Sequence, residues 1–142
     1  MKYDDASWHY EGNFPKDLPK SAGSTHIGMF VAWCVLNGMV GDVHTEDFPE
    51  ELQALRDREI TPGAWLIKAC DGKFIEEDLN EEGNAFAREF FDAKGTGYLE
   101  EYTATLCESG GTLYHVADTW ENFDRLAPVI QSRFDAWKKQ AV

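Results

Sequence analysis

Histidines and carboxylates are the residues of this sequence whose types and spacing could support metal chemistry. Imidazole nitrogens and carboxylate oxygens are common ligands of zinc and iron, so a site that joins them is chemically possible. The same histidines are also compatible with simple packing at the start of a helix and with a turn, so the spacing alone does not require an ion. The candidate ligands are Asp4, Asp5, His9, His26 and His44.

Two dense runs of carboxylates follow in the next part of the sequence. Such runs are typical of solvated helix faces, and they become functional when a basic partner approaches them. Electrostatic attraction of this kind accelerates association and helps to select the partner. The carboxylates that we consider as an interface are Glu46, Asp47, Glu50, Glu51, Glu76, Glu77, Asp78, Glu81 and Glu82.

Three bulky residues occur in succession at Trp8-His9-Tyr10. On an extended segment they cannot all face the core, because successive side chains point to opposite sides. Either Trp8 and Tyr10 fasten this segment to the core, or one of them is an aromatic anchor of an interface. Both residues are therefore added to the interface candidates.

The charge balance limits the classes of partner. The chain has 142 residues with 26 acidic and 13 basic side chains, and its formal net charge is −13. Nucleic acids and anionic membrane surfaces require a basic footprint, so neither is expected as a partner. The acidity fits either plain solubility or a basic protein partner. The oligomeric state does not follow from the sequence.

The sequence contains no recognisable catalytic or cofactor-binding motif. The glycine-rich nucleotide loops, the HExxH zinc motif and the GxSxG nucleophile motif are all missing, and no cofactor is expected. Three cysteines are present without a CxxC pair, which indicates reduced thiols. The polar N-terminus does not resemble a signal peptide, so we expect a cytoplasmic protein.

A central apolar helix at residues 26–40 is the element around which the fold is predicted. Residues 27–36 include no charged or strongly polar side chain, so this helix must be buried on most of its surface. Gly38 and Gly41 provide stop signals after it. The run is too short to cross a bilayer, which takes roughly 20 apolar residues.

The remaining patterns predict a mainly α protein that forms one compact domain over residues 1–142. About six helices surround the central one, with at most one or two short strands. Residues 1–23 form an extended aromatic arm packed on this core. Thr45 is expected to cap one helix, Thr61-Pro62 to open another, and two more helices are expected over residues 76–92 and 98–106, with breaks at Gly95 and Gly97. A short strand is predicted over residues 112–116. The last helix is predicted to be capped by Asp118 or Thr119 and to be kinked or divided by Pro128.

Several strings in this sequence are similar to those of a known family. They are KYDDASWHY with FPKDLP near the N-terminus, THIGMF and HTEDFP in the middle, and DTWENFDRLAP near the C-terminus. Together they resemble a family of short bacterial proteins of unknown function. This resemblance implies a single bacterial cytoplasmic domain, and it assigns no catalytic residues.

The function that these features favour is a non-enzymatic protein-binding domain, specifically an immunity-type protein that neutralises a basic toxin. Acidic carboxylates would take the place of a phosphate or nucleic-acid substrate in the toxin, and aromatic residues would anchor the contact. One alternative is a small metal-assisted enzyme of unknown reaction that uses the N-terminal acids with the three histidines. Another is a structural or scaffold subunit.

Overall fold

The buried helix α2 (Thr25–Leu36) lies at the centre of the protein, whose computed structural model describes residues 1–92 and 97–140. Every side chain from Thr25 to Val35 is buried, as the run of apolar residues predicts. The helix ends at Leu36 instead of Val40, because Gly38 adopts a positive φ of 82° and Met39 N–H turns back to the carbonyl of Cys34.

The described residues confirm a mainly helical fold. Within these residues, six helices have eight or more residues, α1 and α3 are single turns of five, and three short 3-10 turns connect other elements. Besides α2, the elements are β1 (Lys2–Asp5), α1 (Ala6–Tyr10), a 3-10 turn (Lys20–Gly23), α3 (Asp42–Glu46), α4 (Pro49–Arg56), α5 (Pro62–Cys70), β2 (Lys73–Ile75), a 3-10 turn (Glu76–Asp78), α6 (Glu81–Phe90), α7 (Tyr98–Leu106), a 3-10 turn (Leu113–His115) and α8 (Trp120–Gln140).

The two short strands form one antiparallel pair, in agreement with the prediction. Lys2 lies opposite Ile75 and Asp4 opposite Phe74, with an irregularity between the two pairs. Since successive side chains of a strand point to opposite faces, Asp4 and Asp5 diverge at the end of β1. This divergence decides which of the two carboxylates reaches the histidines.

Close backbone contact joins α2 to α5. A Cβ atom on Gly28 would lie only 2.4 Å from the carbonyl oxygen of Pro62, so glycine is required at this crossing. On another side of α2, Phe30 contacts a set of aromatic rings from β2, α6 and α7. These contacts fix α2, whose first turn carries His26, relative to β2, α6 and α7.

The N-terminal arm differs from a fully extended segment. Trp8 and Tyr10 lie in α1, because the Asp5 carboxylate caps this helix by accepting a hydrogen bond from Ser7 N–H at 2.9 Å. The three bulky residues can therefore point in different directions around a helical turn. The 3-10 turn at Lys20–Gly23 completes the arm and leads into α2.

Two local predictions are wrong in detail. Thr45 lies inside α3 and does not cap α4, since Pro49 begins that helix after Phe48. The expected strand over 112–116 is a 3-10 turn, in which the Thr112 hydroxyl accepts from Tyr114 N–H. The last helix is predicted to be capped by Asp118 or Thr119, and Asp118 is not the cap because its carboxylate binds the start of α5 instead.

Other local predictions have mixed outcomes. At the start of α5, the Asp118 carboxylate accepts hydrogen bonds from Gly63 N–H and Ala64 N–H. Thr119 caps α8 as one of the two alternatives stated, with its hydroxyl accepting from Asn122 N–H. The predicted break at Gly95 lies outside the described residues.

The last helix is the longest, and α8 continues through Pro128 without division. Pro128 cannot donate a backbone N–H within α8, but its side chain is exposed, so the ring lies on the solvent side of the helix. Among the helices described, none combines the length and the apolar character that crossing a membrane would require.

Candidate functional site

A group of buried and half-buried side chains, which we call the His26 cluster, consists of Asp4, His9, His26 and Tyr114. Asp4 is on β1, His9 on α1 and His26 in the first turn of α2. The Nε2 atom of His9 lies 2.8 Å from Asp4 Oδ1, and the Nε2 atom of His26 lies 3.5 Å from Asp4 Oδ2. One carboxylate therefore faces two imidazole rings.

Neighbouring groups hold these rings in place. The phenol oxygen of Tyr114 lies 2.6 Å from His9 Nδ1, and the phenol of Tyr98 donates to the backbone carbonyl of His26 at 2.6 Å. Within the described part of the chain, neither ring nitrogen of His26 has a hydrogen-bond partner, although the residue is fully buried. Buried imidazoles normally find partners, so this histidine requires an explanation.

The electrostatics of the cluster favour an ionised carboxylate beside a neutral imidazole. Burial raises the pKa of Asp4, but the imidazoles of His26 and His9, which both face the carboxylate, together outweigh this effect and lower the pKa to about 2. Burial lowers the pKa of His26, while the nearby Asp4 carboxylate opposes that shift. A carboxylate anion and a neutral imidazole are the protonation states in which these groups bind metals.

Three of the five predicted metal ligands meet in this cluster. One ligand atom each from Asp4, His9 and His26 lies within 4.8 Å of the others. Asp5 points away, and its carboxylate is occupied by Ser7 and by Lys2 Nζ at 2.8 Å. The fifth residue, His44, is in a different cluster.

We call that second group the His44 cluster; it consists of His44, Cys70 and Asp78. The Nε2 atom of His44 lies 2.9 Å from Asp78 Oδ1 and 3.7 Å from Cys70 Sγ. The other oxygen of Asp78 accepts a hydrogen bond from Ile75 N–H at 2.9 Å. Both contacts of the imidazole therefore use the same nitrogen.

This arrangement does not match a nucleophilic triad. In a Cys–His–Asp triad one ring nitrogen receives the thiol proton while the other binds the carboxylate. Here Nε2 faces both groups, so the ring cannot relay a proton between them. Burial, and then the charge of Asp78, raise the pKa of the Cys70 thiol, which keeps the sulfur protonated and unreactive at neutral pH.

A surface depression, which we call the acidic cavity, contains residues of both predicted carboxylate runs. Its volume is about 530 Å³. Among the residues that the structure describes, no lysine or arginine lines it. The lining carboxylates are Asp42, Glu46, Asp47, Glu77 and Glu81, all exposed.

Backbone pairing brings these two parts of the chain together. Val40 forms a single antiparallel bridge with Leu79, and Gly41 N–H donates to the carbonyl of Asp78 at 2.9 Å. A Cβ atom on Gly41 would lie 2.2 Å from the carbonyl oxygen of Glu77, so only glycine permits this approach. The bridge therefore positions α3 beside the start of α6.

The other predicted interface carboxylates lie elsewhere. Asp78 is buried in the His44 cluster, Glu82 pairs with Lys138, and Glu76 bonds to the α-amino group of Met1 at 2.9 Å. Glu50 and Glu51 are in the first turn of α4, where the helix dipole favours negative charge.

The two aromatic interface candidates have different environments. The side chain of Trp8 is among the large apolar groups that remain exposed, with 55% of its surface accessible. Lys2 Nζ lies 4.9 Å from the centre of its ring. Tyr10 is half-buried and is covered in part by Lys20. Trp8 is thus the more available of the two for a partner.

Sequence reasoning did not identify Cys70 or Tyr114 as members of these clusters. Cys70 is 26 residues from His44, and Tyr114 is 105 residues from His9. Contacts over such distances leave no periodic signal in a single sequence. Asp78 was considered only as a surface charge, because it occurs within a run of acids.

Comparison with known proteins identifies a family without identifying an activity. A family model described as a domain of unknown function (DUF7832) matches residues 2–116. The matched region contains both histidine clusters and the acidic cavity. No curated protein and no solved structure matches the chain.

Proposed function

This chain belongs to the DUF7832 family, and we propose that it is a non-enzymatic protein-binding domain for a basic protein. The observation that carries this proposal is the acidic cavity, where five exposed carboxylates surround one concave surface. The partner would insert a lysine or arginine side chain there. Residues from two distant parts of the chain thus act as one surface.

The cavity has the electrostatic properties that such a contact needs. Carboxylates that share a concave surface repel one another, and a cation placed between them relieves that repulsion. Clefts lined by one sign of charge also focus the field and increase the rate of association with oppositely charged partners. The formal net charge of −13 extends this attraction beyond the cavity.

The finer form of the proposal is an immunity-type protein of a bacterial cytoplasm. Toxins that act on nucleic acids or phosphates have basic active sites, and the carboxylates of the acidic cavity would occupy such a site in place of the substrate phosphates. Exposed Trp8 would provide an aromatic anchor at the edge of the contact. Binding would then block the toxin without any reaction.

The test compares two variants that lose the same number of negative charges. The first carries E46Q, D47N, E77Q and E81Q in the acidic cavity. The control carries E11Q, E89Q, E108Q and E121Q, which are exposed residues outside the cavity lining. Each tagged protein is used to capture partners from a lysate of the source organism at low and moderate salt, followed by mass spectrometry.

We expect a basic protein to be captured by the wild type and by the control, and to be lost as the salt concentration rises. The cavity variant should fail to capture it, and its association rate with the purified partner should fall by about ten-fold or more. Equal capture by both variants, or association rates that do not change in the cavity variant, would refute the proposal. A wild type that captures no basic protein would also count against it.

A further inference from the structure

The geometry of the His26 cluster points to a second site: we propose that Asp4, His9 and His26 bind a divalent transition-metal ion, Zn²⁺ or Fe²⁺. Two imidazoles and one carboxylate form a ligand set that both ions accept. This site is separate from the acidic cavity, which shares none of these residues. It therefore goes beyond the proposed protein-binding function.

The distances between the ligand atoms match those around a bound ion. Ligand atoms bound about 2.1 Å from an ion lie about 3.0 Å apart at right angles and about 3.4 Å apart in a tetrahedron. The separations here are 2.8 Å from His9 Nε2 to Asp4 Oδ1 and 3.5 Å from His26 Nε2 to Asp4 Oδ2. These two distances end on different oxygens of Asp4. Because one ligand atom of each residue lies within 4.8 Å of the others, small adjustments of the side chains would place one nitrogen of each histidine and an oxygen of Asp4 on one ion.

The incomplete hydrogen bonding of His26 supplies the independent indication of a ligand. Its Nε2 atom faces Asp4 Oδ2, yet among the described residues it has no hydrogen-bond partner. The residue is fully buried, so an imidazole nitrogen without a partner is unfavourable there. An ion between the imidazole and the carboxylate would satisfy both atoms at once.

Surrounding groups orient the ligands as they do in known metal sites. Histidine ligands generally use the second ring nitrogen to bind an outer group, which fixes the ring and its tautomer. Tyr114 fills this role for His9, with its phenol oxygen 2.6 Å from Nδ1. When Nδ1 donates its proton to that oxygen, Nε2 presents a lone pair to the ion.

The carboxylate is oriented in a similar way. Asp5 N–H donates to Asp4 Oδ1 at 2.8 Å, which fixes the plane of the carboxylate and leaves Oδ2 directed at His26. The side chains of His9 and Asp4 are 16% and 11% exposed, whereas that of His26 is fully enclosed. An ion can therefore enter past His9 and Asp4.

The His44 cluster offers a weaker set of ligands, although His44, Cys70 and Asp78 also lie within 4.8 Å. There the single imidazole is already hydrogen-bonded to the carboxylate, and both oxygens of Asp78 have partners. In the His26 cluster only His9 is paired with the carboxylate in this way, and within the described residues the ring of His26 has no hydrogen-bond partner. Within residues 1–92 and 97–140, the ring nitrogen of His44 that lacks a hydrogen-bond partner is Nδ1. This nitrogen does not contact Asp78 or Cys70. The proposal is for this reason limited to the His26 cluster.

The test is a titration of the full chain, first stripped of metal by a chelator, with Zn²⁺ in a calorimeter. Asp4→Asn and His9→Ala remove one ligand each. His115→Ala is the matched control, since His115 Nε2 also pairs with a carboxylate, that of Asp17 at 3.1 Å, but on the surface. Circular dichroism establishes that each variant is folded.

We expect the wild type and His115→Ala to bind one equivalent of Zn²⁺. Asp4→Asn and His9→Ala should lose stoichiometric binding or bind about 100-fold more weakly. If His9→Ala does not fold, His9→Gln takes its place, since glutamine retains a hydrogen-bonding group and most of the volume.

Co²⁺ provides a second readout that does not depend on affinity alone. The visible absorption of bound Co²⁺ reports ligation by nitrogen and oxygen atoms. This absorption should appear when Co²⁺ is added to the wild type and should be absent with Asp4→Asn. Unchanged Zn²⁺ binding in both ligand variants, equal loss in His115→Ala, or no stoichiometric binding by the wild type would each overturn the proposal. The protein-binding proposal is tested by capture with variants that retain all three ligands, so the two can fail separately.

Discussion

The His26 cluster and the His44 cluster contain similar groups but complete their hydrogen bonds differently. Each pairs a buried histidine with a buried aspartate. In the His44 cluster the imidazole and the carboxylate bind each other at 2.9 Å, and Ile75 N–H occupies the other oxygen. In the His26 cluster the facing atoms of His26 and Asp4 are 3.5 Å apart, and within the described residues neither ring nitrogen of His26 has a hydrogen-bond partner.

This difference separates a structural contact from a candidate binding site. A histidine–aspartate pair with good geometry stabilises the fold and leaves no atom available for a ligand at the contact. A pair that is held apart by its surroundings keeps atoms available for a ligand. The unfavourable energy of leaving these atoms unpaired is offset by favourable contacts elsewhere in the fold. Three experiments can test whether the His44 cluster is a structural contact and the His26 cluster is a candidate binding site.

The largest expected effect is the loss of stability when Asp78 is removed. Asp78→Ala leaves His44 Nε2 and Ile75 N–H without their acceptor, and we expect the free energy of unfolding to fall by about 3 kcal/mol. The free energy of unfolding should fall by less in Asp78→Asn, because the amide oxygen can still accept one of these hydrogen bonds. Denaturant unfolding measures both changes, and a loss below about 1 kcal/mol for the alanine variant would show that this pair is not a structural contact.

The second effect is a dependence of stability on acid pH that comes from Asp4. In the metal-free chain its pKa is lowered from 3.8 to about 2, so the folded state binds this proton less readily than the unfolded state. The resulting stability, about 2 kcal/mol, is present above the unfolded pKa and is lost as pH falls through 4 towards 2.

Asp4→Asn should lack this component, and its unfolding free energy should change less with pH than that of the wild type over the same range. Unfolding curves recorded with a chelator at several pH values measure the difference. Parallel pH profiles for the wild type and Asp4→Asn would mean that the two histidines do not stabilise the carboxylate.

The smallest effect concerns the reactivity of Cys70. Because burial and then Asp78 raise the pKa of its thiol, iodoacetamide at pH 8 should modify Cys70 more slowly than a free cysteine. Asp78→Asn should increase the rate by less than about ten-fold, since burial remains the larger cause. Peptide mapping by mass spectrometry gives both rates, and modification faster than that of a free thiol would restore the nucleophile interpretation.

The parts of the fold that could be predicted are those with a local signal. The apolar run that became α2 and the proline at the start of α5 appear directly in the sequence. The choice of metal ligands was predictable only in part. Asp4 and Asp5 follow each other on a strand, so only one can face the histidines. α2 has 12 residues and is about 18 Å long, which separates His26 at its start from His44 beyond its end.

The acidic cavity had no such signal. Glu46 and Glu81 belong to separate acidic runs, and each run alone is typical of a solvated surface. The bridge between Val40 and Leu79, with glycine at position 41, and the contact of His44 with Asp78 bring the runs together. A pairing of one residue from each segment leaves no pattern of hydrophobicity, so the sequence predicts the charges without predicting that they share a surface.

The pairing of β1 with β2 has a consequence for the order of folding. Ribosomes deliver the chain from its N-terminus, so Asp4, His9 and His26 are all synthesised before residues 73–75, with which β1 pairs. Asp4 therefore reaches its final position only after a contact that spans about half of the chain has formed, and contacts of such separation form slowly. In the nascent chain the two imidazoles and the carboxylate are therefore synthesised, and remain accessible, well before the residues that later enclose them, including Tyr98 and Tyr114, have been synthesised.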